Sequence, residues 1–312
     1  MFDRGGGGLA SGSYEIVDAL RVLCRLPDGR KGNLEPHRIA AVETAEALAF
    51  SASIDEYIER HRDDKYTEDC AKLAIAKAIL EAENSSDIFV SHRRPAANGF
   101  NTTGGSWLAS YLRDVSRGFS ARDLPEAFQN VTVVNFNYDR CFEHYAYHWL
   151  QSVYRIEAIE AAEIVSGFQV YHPYGKLGPL EWQDPHGIPY GAGVDTRRLL
   201  TISKRIRTYS EAKEPETGIE VVKERLGAAR NVVFLGFGFH QQNLNLLRVD
   251  ESRQSAAWCF ATTKGISKPS WEVYKSRIRE TLSVAPHRDL YAADIDGNCE
   301  DFWAEYSTVL TA

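Results

Sequence analysis

The chain has 312 residues, of which 44% are hydrophobic and 25% are charged, and its formal net charge is −7. This composition is typical of a globular protein. The negative charge gives no general attraction to nucleic acid, so we expect no direct nucleic-acid binding. No apolar stretch approaches the roughly 20 residues that span a bilayer, so no membrane contact is expected. The start, Met1–Arg4, has no apolar signal region, which predicts a cytoplasmic location.

The beginning of the chain is rich in glycine. Gly5 to Gly8 precede a helical pattern at residues 14–23, and the run from Gly5 to Ala10 fits Gly-x-Gly-x-x-Ala. In such a turn, backbone amides can approach a pyrophosphate at the N-terminus of a helix. Gly6 and Gly8 are therefore predicted to bind a dinucleotide. The alternative is a flexible N-terminal segment that binds no ligand.

Residues 37–120 are predicted to form a helical insertion. Ser53 and Glu56 have the spacing of a capping box that begins a helix over residues 54–62. Five residues at helical spacing predict one apolar face with Lys72 outside it: Ala71, Ala74, Ile75, Ala78 and Ile79. Ser106 follows a loop at residues 98–105 and is expected to cap another helix.

The most informative segment follows an apolar run at residues 131–136, which predicts a buried strand. Asn137 and Asp139 come directly after it, and residues 141–150 predict a helix. In an open α/β sheet, ligands bind at the carboxyl edge of the strands, where these two polar side chains are expected. The alternative is that Asp139 only caps the helix and Asn137 only shapes the turn.

Two further segments repeat this arrangement of a strand followed by polar residues or glycines. Residues 168–178 predict a short strand that ends at His172 and a glycine turn. Residues 231–240 predict an apolar strand closed by Gly236 and Gly238, with a helix at 241–247. The alternation of strands and helices from residue 131 onward favours a parallel sheet with helices on both faces.

The remaining predicted elements complete this pattern. Residues 256–262 predict a strand, and residues 270–282 and 299–310 predict helices. The last helix is expected to bury Phe302, Tyr306 and Val309. Residues 180–194 are rich in Pro and Gly and predict a surface loop.

Several of these segments together resemble the sirtuin family, and specifically the bacterial sirtuin-like proteins that consume NAD in antiphage defence. Phe136-Asn137-Tyr138-Asp139, with Glu143 four residues later, looks like the Asn-x-Asp motif of that group. Residues 234–240 with Asn243-Leu244 are similar to its strand-glycine-helix segment. Residues 53–58, Ser-Ile-Asp-Glu-Tyr-Ile, resemble a sequence segment that is common near the start of such chains.

The chain departs from the family pattern in two places. The family has a glycine-rich turn after its first strand, whereas here Gly5 to Gly8 have almost nothing before them. The family histidine directly precedes a glycine, and that position is Tyr174 in this chain. His172 lies two residues earlier and, in an extended segment, points to the same face, so either side chain is a candidate for the basic role.

The resemblance implies one sirtuin-like domain over residues 1–312. Its Rossmann-like core would be a parallel sheet flanked by helices, formed by residues 1–36 and 121–312 around the helical insertion at 37–120. NAD would be the substrate, and no metal is expected. Asn137 would position the ribose and water, and His172 would act as the base. Residues expected to contact NAD are Gly6, Gly8, Asp139, Tyr174, Gly236 and Gly238.

The function implied is that of an NAD glycohydrolase, which releases nicotinamide and ADP-ribose and depletes NAD during phage infection. Such proteins often form homo-oligomers or act beside a partner ATPase. An NAD-dependent protein deacylase is an alternative, but the five cysteines are dispersed and lack the Cys-x-x-Cys pairs of a structural zinc module. A non-catalytic nucleotide-binding or scaffold subunit of a defence complex is the other alternative.

Overall fold

In a computed structural model, the chain is described over residues 12–51, 53–90, 99–250, 258–284, 290–292 and 297–310. The helices are α1 Tyr14–Leu23, α2 Glu35–Ala47, α3 Ile54–Arg60, α4 Lys65–Ser85, α5 Trp107–Val115, α6 Leu124–Phe128, α7 Cys141–Tyr154, α8 Ala158–Ser166, α9 Thr196–Ser203, α10 Ile219–Ala228, α11 Gln241–Leu246, α12 Lys268–Leu282 and α13 Cys299–Leu310. The strands are β1 Thr132–Val134, β2 Gln169–Tyr171, β3 Asn231–Phe234, β4 Trp258–Ala261 and β5 Leu290–Ala292.

Local capping explains where several helices begin. The Ser53 hydroxyl accepts a hydrogen bond from the backbone N–H of Glu56 at 3.1 Å, and α3 begins at the next residue. Ser106 accepts from the N–H of Ala109 in the same way at 3.3 Å. These bonds satisfy N–H groups that have no partner within the first turn of a helix. The predicted helix starts at Ser53 and Ser106 are therefore confirmed.

The chain divides into two compact units. Unit 1 comprises Met1–Phe89, Asn137–Cys141 and Tyr174–Ala212, and unit 2 comprises Val90–Phe136, Phe142–Pro173 and Lys213–Ala312. The helices of unit 1 pack around α4, which contacts α1, α2, α3 and α9. All five strands lie in unit 2.

Because neighbours surround α4, it buries more of its circumference than the sequence pattern indicates. The predicted apolar face is wrong at Ala78, which is exposed. Lys72 was expected outside that face but is buried, with its ammonium 2.7 Å from Glu68 and 2.8 Å from Glu211. Two carboxylates therefore compensate the charge of this lysine, as a buried ammonium requires.

The strands of unit 2 pair in parallel, as predicted, but they form two sheets in the described residues. One sheet is β1–β2, with Val134 opposite Tyr171, and the other has the order β3-β4-β5. The chain is thus of mixed α/β class and mainly helical. A single Rossmann-like sheet is not seen in this part of the chain.

One hydrophobic cluster of unit 2 lies between the three-stranded sheet and α13. Its buried members are Phe260 of β4 and Phe302 of α13, which pack against Val233, Leu235, Tyr306 and Leu310. Burial of Phe302 and partial burial of Tyr306 agree with the predicted helix face. The prediction for Val309 is wrong, because 58% of this residue is exposed.

Residues 180–194 were predicted to be a surface loop, and this is wrong for their apolar side chains. Leu180, Ile188 and Tyr190 are buried in unit 1. The segment has turns and no helix or strand, so helix or sheet hydrogen bonds do not satisfy its buried carbonyl groups. Arg140 supplies donors to the carbonyl groups of Ile188 and Pro189 at 2.5 and 3.2 Å. These bonds favour burial of the loop, because buried backbone polar groups need hydrogen-bond partners.

Candidate functional site

The Asn137–Arg140 segment of unit 1 alternates between outward and inward side chains. Asn137 is exposed and Asp139 partly exposed, whereas Tyr138 and Arg140 are buried. The Tyr138 phenol donates a hydrogen bond to Asp55 of α3, and burial, followed by the charge of Asp55, raises the pKa of that phenol well above its usual value. The buried residues anchor the segment, so Asn137 is presented to solvent in a fixed position.

Asp139 has the structural role that was considered as an alternative. Its Oδ1 accepts a hydrogen bond from the backbone N–H of Cys141 at 3.0 Å, where α7 begins. This bond satisfies one N–H group of the first helical turn. A carboxylate can accept several hydrogen bonds, so helix capping and ligand binding are compatible for Asp139.

Arg140 forms a buried network that the sequence did not indicate. The Arg140 and Glu83 side chains are fully buried, and Nε and Nη2 donate to the two carboxylate oxygens at 3.0 and 2.6 Å. Glu83 also accepts from the backbone N–H groups of Arg140 and Gly191, both at 3.2 Å. The pair fixes the end of the Asn-x-Asp segment, and because Glu83 is 57 residues from Arg140, no local pattern reveals it.

His172 lies in unit 2 immediately after β2, at the carboxyl end of the β1–β2 pair. Its Nε2 is 3.1 Å from Oε1 of Glu143 on α7, and both side chains are buried. The backbone N–H of Asn135 donates to the carbonyl of Tyr171 at 2.9 Å, which extends the parallel pairing to the residue before His172. The one sequence signal for Glu143 was its spacing after Asp139, and sequence reasoning gave it no role.

Tyr174 belongs to unit 1, where its ring centroid is 6.3 Å from that of Tyr138. Burial, followed by the charge of Asp55, raises the pKa of the Tyr174 phenol. A phenol with a raised pKa stays protonated at neutral pH and cannot accept a proton. Of the two candidates for the basic role, His172 is therefore the one with suitable chemistry.

The predicted glycine turn after His172 is present at Gly175. This residue has φ +78°, and an added Cβ would lie 1.9 Å from the carbonyl oxygen of Arg205. Both the left-handed backbone and the close approach require glycine at this position. The turn allows Tyr174 to accept a backbone hydrogen bond from Arg207 at 2.9 Å.

The second glycine motif follows the carboxyl end of β3 in unit 2. Gly236 has φ +57°, and its N–H donates to the Thr262 hydroxyl at 2.8 Å. Gly236 and Gly238 are exposed. Phe237 between them contacts Phe136, with ring centroids 5.3 Å apart. Because Phe136 follows β1, this contact brings the carboxyl ends of β1 and β3 together within unit 2.

The structure therefore describes the predicted site residues in two groups. Unit 1 holds Asn137, Asp139 and Tyr174, and unit 2 holds His172 with the Gly236–Gly238 segment. Gly6 and Gly8 lie outside the described residues. Each group is organised by its own buried hydrogen bonds.

A cavity of about 310 Å³ lies at the opposite edge of unit 2. Its lining includes Phe128 and Phe168, which precede β1 and β2, together with Arg122, Glu160 and Glu163. This volume is at the lower end of the range for small-molecule sites. It is separated from His172 by the length of β2, so it is not the predicted site.

In the described part of the chain, neither a metal-binding cluster nor a membrane-spanning helix is found. No group of three or more His, Cys, Asp or Glu side chains in it has an arrangement that could hold a metal ion. None of its helices combines the length and the apolar character needed to cross a membrane. His144 and His148, at helical spacing on α7, contact each other with ring centroids 4.5 Å apart.

Comparisons of the chain with protein-family models, with curated proteins and with solved structures found no match.

Proposed function

We propose that this chain is an NAD glycohydrolase that hydrolyses NAD to nicotinamide and ADP-ribose. The observation that supports it most is the buried His172–Glu143 pair directly after a parallel strand. In parallel α/β sheets, this edge is where substrates bind. The Asn-x-Asp motif of the sirtuin-like resemblance supports NAD as the substrate.

A Rossmann-like arrangement is part of this proposal. The strands β1, β2, β3 and β4 all pair in parallel, and helices connect them. The Phe136–Phe237 contact joins the carboxyl ends of the two sheets. We infer that the two sheets are parts of one divided parallel sheet, with ligands bound along their shared carboxyl edge.

The reaction requires cleavage of the bond between nicotinamide and ribose. The leaving group already carries a positive charge, and the sugar passes through an oxocarbenium-like state, as in glycoside hydrolysis. Water supplies the oxygen of the new C1–OH bond, and its proton must be accepted. His172 would accept that proton, because imidazole changes its protonation near neutral pH.

Glu143 would assist by holding the imidazole. A carboxylate bonded to one ring nitrogen fixes the tautomer and orientation of a histidine and stabilises its protonated form. Nε2 of His172 and Oε1 of Glu143 lie 3.1 Å apart, within hydrogen-bonding distance. Glu143 would thus be a positioning residue for His172.

Asn137 and Asp139 would act on the ribose. An amide both donates and accepts hydrogen bonds, so exposed Asn137 is suited to orient a hydroxyl group and the attacking water. Asp139 would accept hydrogen bonds from ribose hydroxyls while still capping α7. In this proposal, NAD is consumed as a substrate in the cytoplasm, and a homo-oligomer or a partner ATPase controls the activity.

The experiment is product analysis after incubation of the purified full-length chain with NAD. We expect equimolar nicotinamide and ADP-ribose without any acylated peptide, because water is the acceptor. Asn137→Ala should abolish turnover and leave thermal unfolding unchanged, since Asn137 is exposed. Asn130→Ala is the matched control, because Asn130 is also exposed but precedes the amino end of β1.

Other outcomes would support a different function for the chain. Turnover that depends strictly on acyl-lysine would identify a deacylase. Tight NAD binding without turnover, even in the assembled oligomer, would identify a non-catalytic nucleotide-binding subunit. Wild-type turnover in Asn137→Ala would remove this residue from the site.

A further inference from the structure

Three helices of unit 1 bring a cysteine, a histidine and an aspartate into one hydrogen-bonded chain. The Sγ of Cys24, at the C-terminus of α1, lies 3.2 Å from Nδ1 of His37 in the first turn of α2. The Nε2 of the same ring lies 3.1 Å from Oδ2 of Asp69 on α4. This connectivity of nucleophile, base and orienting group is that of a nucleophilic triad.

The surroundings of His37 favour the tautomer that activates the thiol. Asp69 also accepts two hydrogen bonds from the Lys65 ammonium, at 2.8 and 2.6 Å. The carboxylate therefore accepts the proton on Nε2, which leaves the lone pair of Nδ1 directed at Cys24. Tyr66 packs edge-on against the imidazole at 4.8 Å, and the Cys70 thiol donates to the His37 carbonyl group at 3.4 Å.

The thiol itself requires this base. Burial, followed by the charge of Asp69, raises the pKa of Cys24, although Lys65 partly opposes the effect. At neutral pH the thiol is therefore mainly protonated, and the thiolate must form as His37 accepts the proton during attack. Cys24 is partly exposed, so a reactant can approach it.

The residues around the thiol indicate an apolar reactant. Leu23 and Leu26 flank Cys24 and are 38% and 43% exposed, and Tyr66 beside His37 is 44% exposed. The Cys24 N–H donates to the Leu20 carbonyl at 2.9 Å, so it does not supply an oxyanion donor for ester or peptide hydrolysis. An acyl thioester needs less such assistance, because its carbonyl is more electrophilic and its leaving group is a thiolate.

We propose that Cys24, His37 and Asp69 form an acyl-accepting site that takes an acyl group from an acyl thioester. The Cys24 sulfur forms a new bond to the acyl carbon, and the bond from that carbon to the donor sulfur breaks. The Cys24 proton passes to Nδ1 of His37 and then to the departing thiolate, so the products are S-acyl-Cys24 and a free thiol. No oxidant or reductant is needed, and Asp69 acts by positioning the imidazole.

The test is incubation of the full-length protein with octanoyl-coenzyme A, followed by intact mass measurement and mapping of the modified peptide. We expect acylation at Cys24 in preference to Cys70, Cys141, Cys259 and Cys299. His37→Gln should slow acylation of Cys24 by roughly 10²–10⁴-fold, as expected for loss of a general base. Asp69→Asn should slow it less, and Cys299→Ser, which alters another partly exposed cysteine, should leave it unchanged.

The pH profile of the unmodified protein tests the mechanism without relying on a variant. The groups that face His37 are Cys24, Asp69, Tyr66 and Cys70, with Lys65 bonded to Asp69. A rate that rises and then levels off while the thiol itself is still protonated supports general-base assistance. A rate that keeps rising into the alkaline range indicates simple thiol ionisation, and this would overturn the proposal. Equal acylation of several cysteines in the folded protein would also overturn it.

Discussion

Two buried pairs, each formed by a basic side chain and a carboxylate, differ in whether the basic group can exchange its proton near neutral pH. In unit 1, Arg140 and Glu83 are both fully buried, and the guanidinium donates to two carboxylate oxygens and to the carbonyl groups of Ile188 and Pro189. In unit 2, Nε2 of His172 lies 3.1 Å from Oε1 of Glu143. Arginine keeps its proton at all physiological pH values, whereas histidine exchanges it near neutrality.

The difference indicates which pair supports the fold and which is suited to chemistry. The Arg140–Glu83 pair connects α4, the Asn-x-Asp segment and the buried loop at residues 188–191 by hydrogen bonds. Its donors are directed at protein acceptors on several sides, so its role is structural. The His172–Glu143 pair lies at the carboxyl edge of parallel strands and contains a group that can accept a proton.

The largest expected effect is the loss of Arg140. Arg140→Met leaves the Glu83 carboxylate and three carbonyl groups without their charged donor, so we expect the free energy of unfolding to fall by about 3–5 kcal/mol. Urea denaturation measures this change. Arg60→Ala is the control, because Arg60 pairs with Glu56 on the exposed surface of α3 and should cost about 0.3–0.5 kcal/mol. A similar small loss for Arg140→Met would refute the structural role.

The second prediction concerns the other pair and its competing tyrosine. His172→Ala should lower the rate of NAD cleavage by roughly 10²–10⁴-fold, the usual range for a general base. Tyr174→Phe should have a milder effect, because the raised pKa of the buried phenol keeps it protonated. Initial rates of nicotinamide release measure both, with His186→Ala, an exposed histidine, as the control. The reverse order would assign the functional group to the Tyr174 hydroxyl.

Several elements of both units could be predicted from sequence because their signals are local. Apolar runs marked β1, β2 and β3, and glycine marked the turns at Gly175 and Gly236. The helix starts at Ser53 and Ser106 could be predicted because each capping hydroxyl accepts a hydrogen bond from a backbone N–H only three residues later. These features depend on a few neighbouring residues.

Long-range pairing was not predictable in the same way. Lys72 interrupts an apolar pattern and is expected to be solvated, yet it is buried, and the partly exposed Glu211, 139 residues later, compensates its charge. Residues 180–194 were predicted to be a surface loop because they are rich in Pro and Gly, and the distant donor to the Ile188 and Pro189 carbonyl groups, Arg140, gives no local signal. The same limit hid the Cys24–His37–Asp69 cluster, whose members lie on three helices.

The third prediction separates the two roles of Asp139. Asp139→Asn keeps an oxygen that can accept from the Cys141 N–H but removes the charge that would strengthen hydrogen bonds to ribose hydroxyls. We expect thermal stability to change little and KM for NAD to rise about fivefold to tenfold, equivalent to ~1 kcal/mol. Asp184→Asn is a matched control, because Asp184 also accepts a hydrogen bond from the N–H two residues later, at 2.7 Å. An unchanged KM would leave Asp139 with helix capping alone.

The smallest expected effect is the pH dependence of stability that arises from Glu211, which pairs with Lys72. Desolvation by itself would raise the pKa of Glu211, but hydrogen bonds from Lys72 and the Thr208 N–H outweigh it and lower the pKa. The contribution to stability is therefore present above the ordinary glutamate pKa of about 4.3 and is lost as pH falls through the lower folded-state value. Because 39% of the Glu211 side chain is exposed, solvent screening should keep this contribution below ~1 kcal/mol.

Glu211→Gln tests this by urea denaturation at several pH values. It should lower stability at pH 7, and the deficit relative to the unmodified protein should shrink below about pH 4, where the glutamate becomes protonated. Glu216→Gln, which alters an exposed acid, should show no such convergence. A deficit that stays constant from neutral to acidic pH would mean that Glu211 contributes through packing or neutral hydrogen bonds, and that Lys72 gains no charge-dependent stabilisation from it.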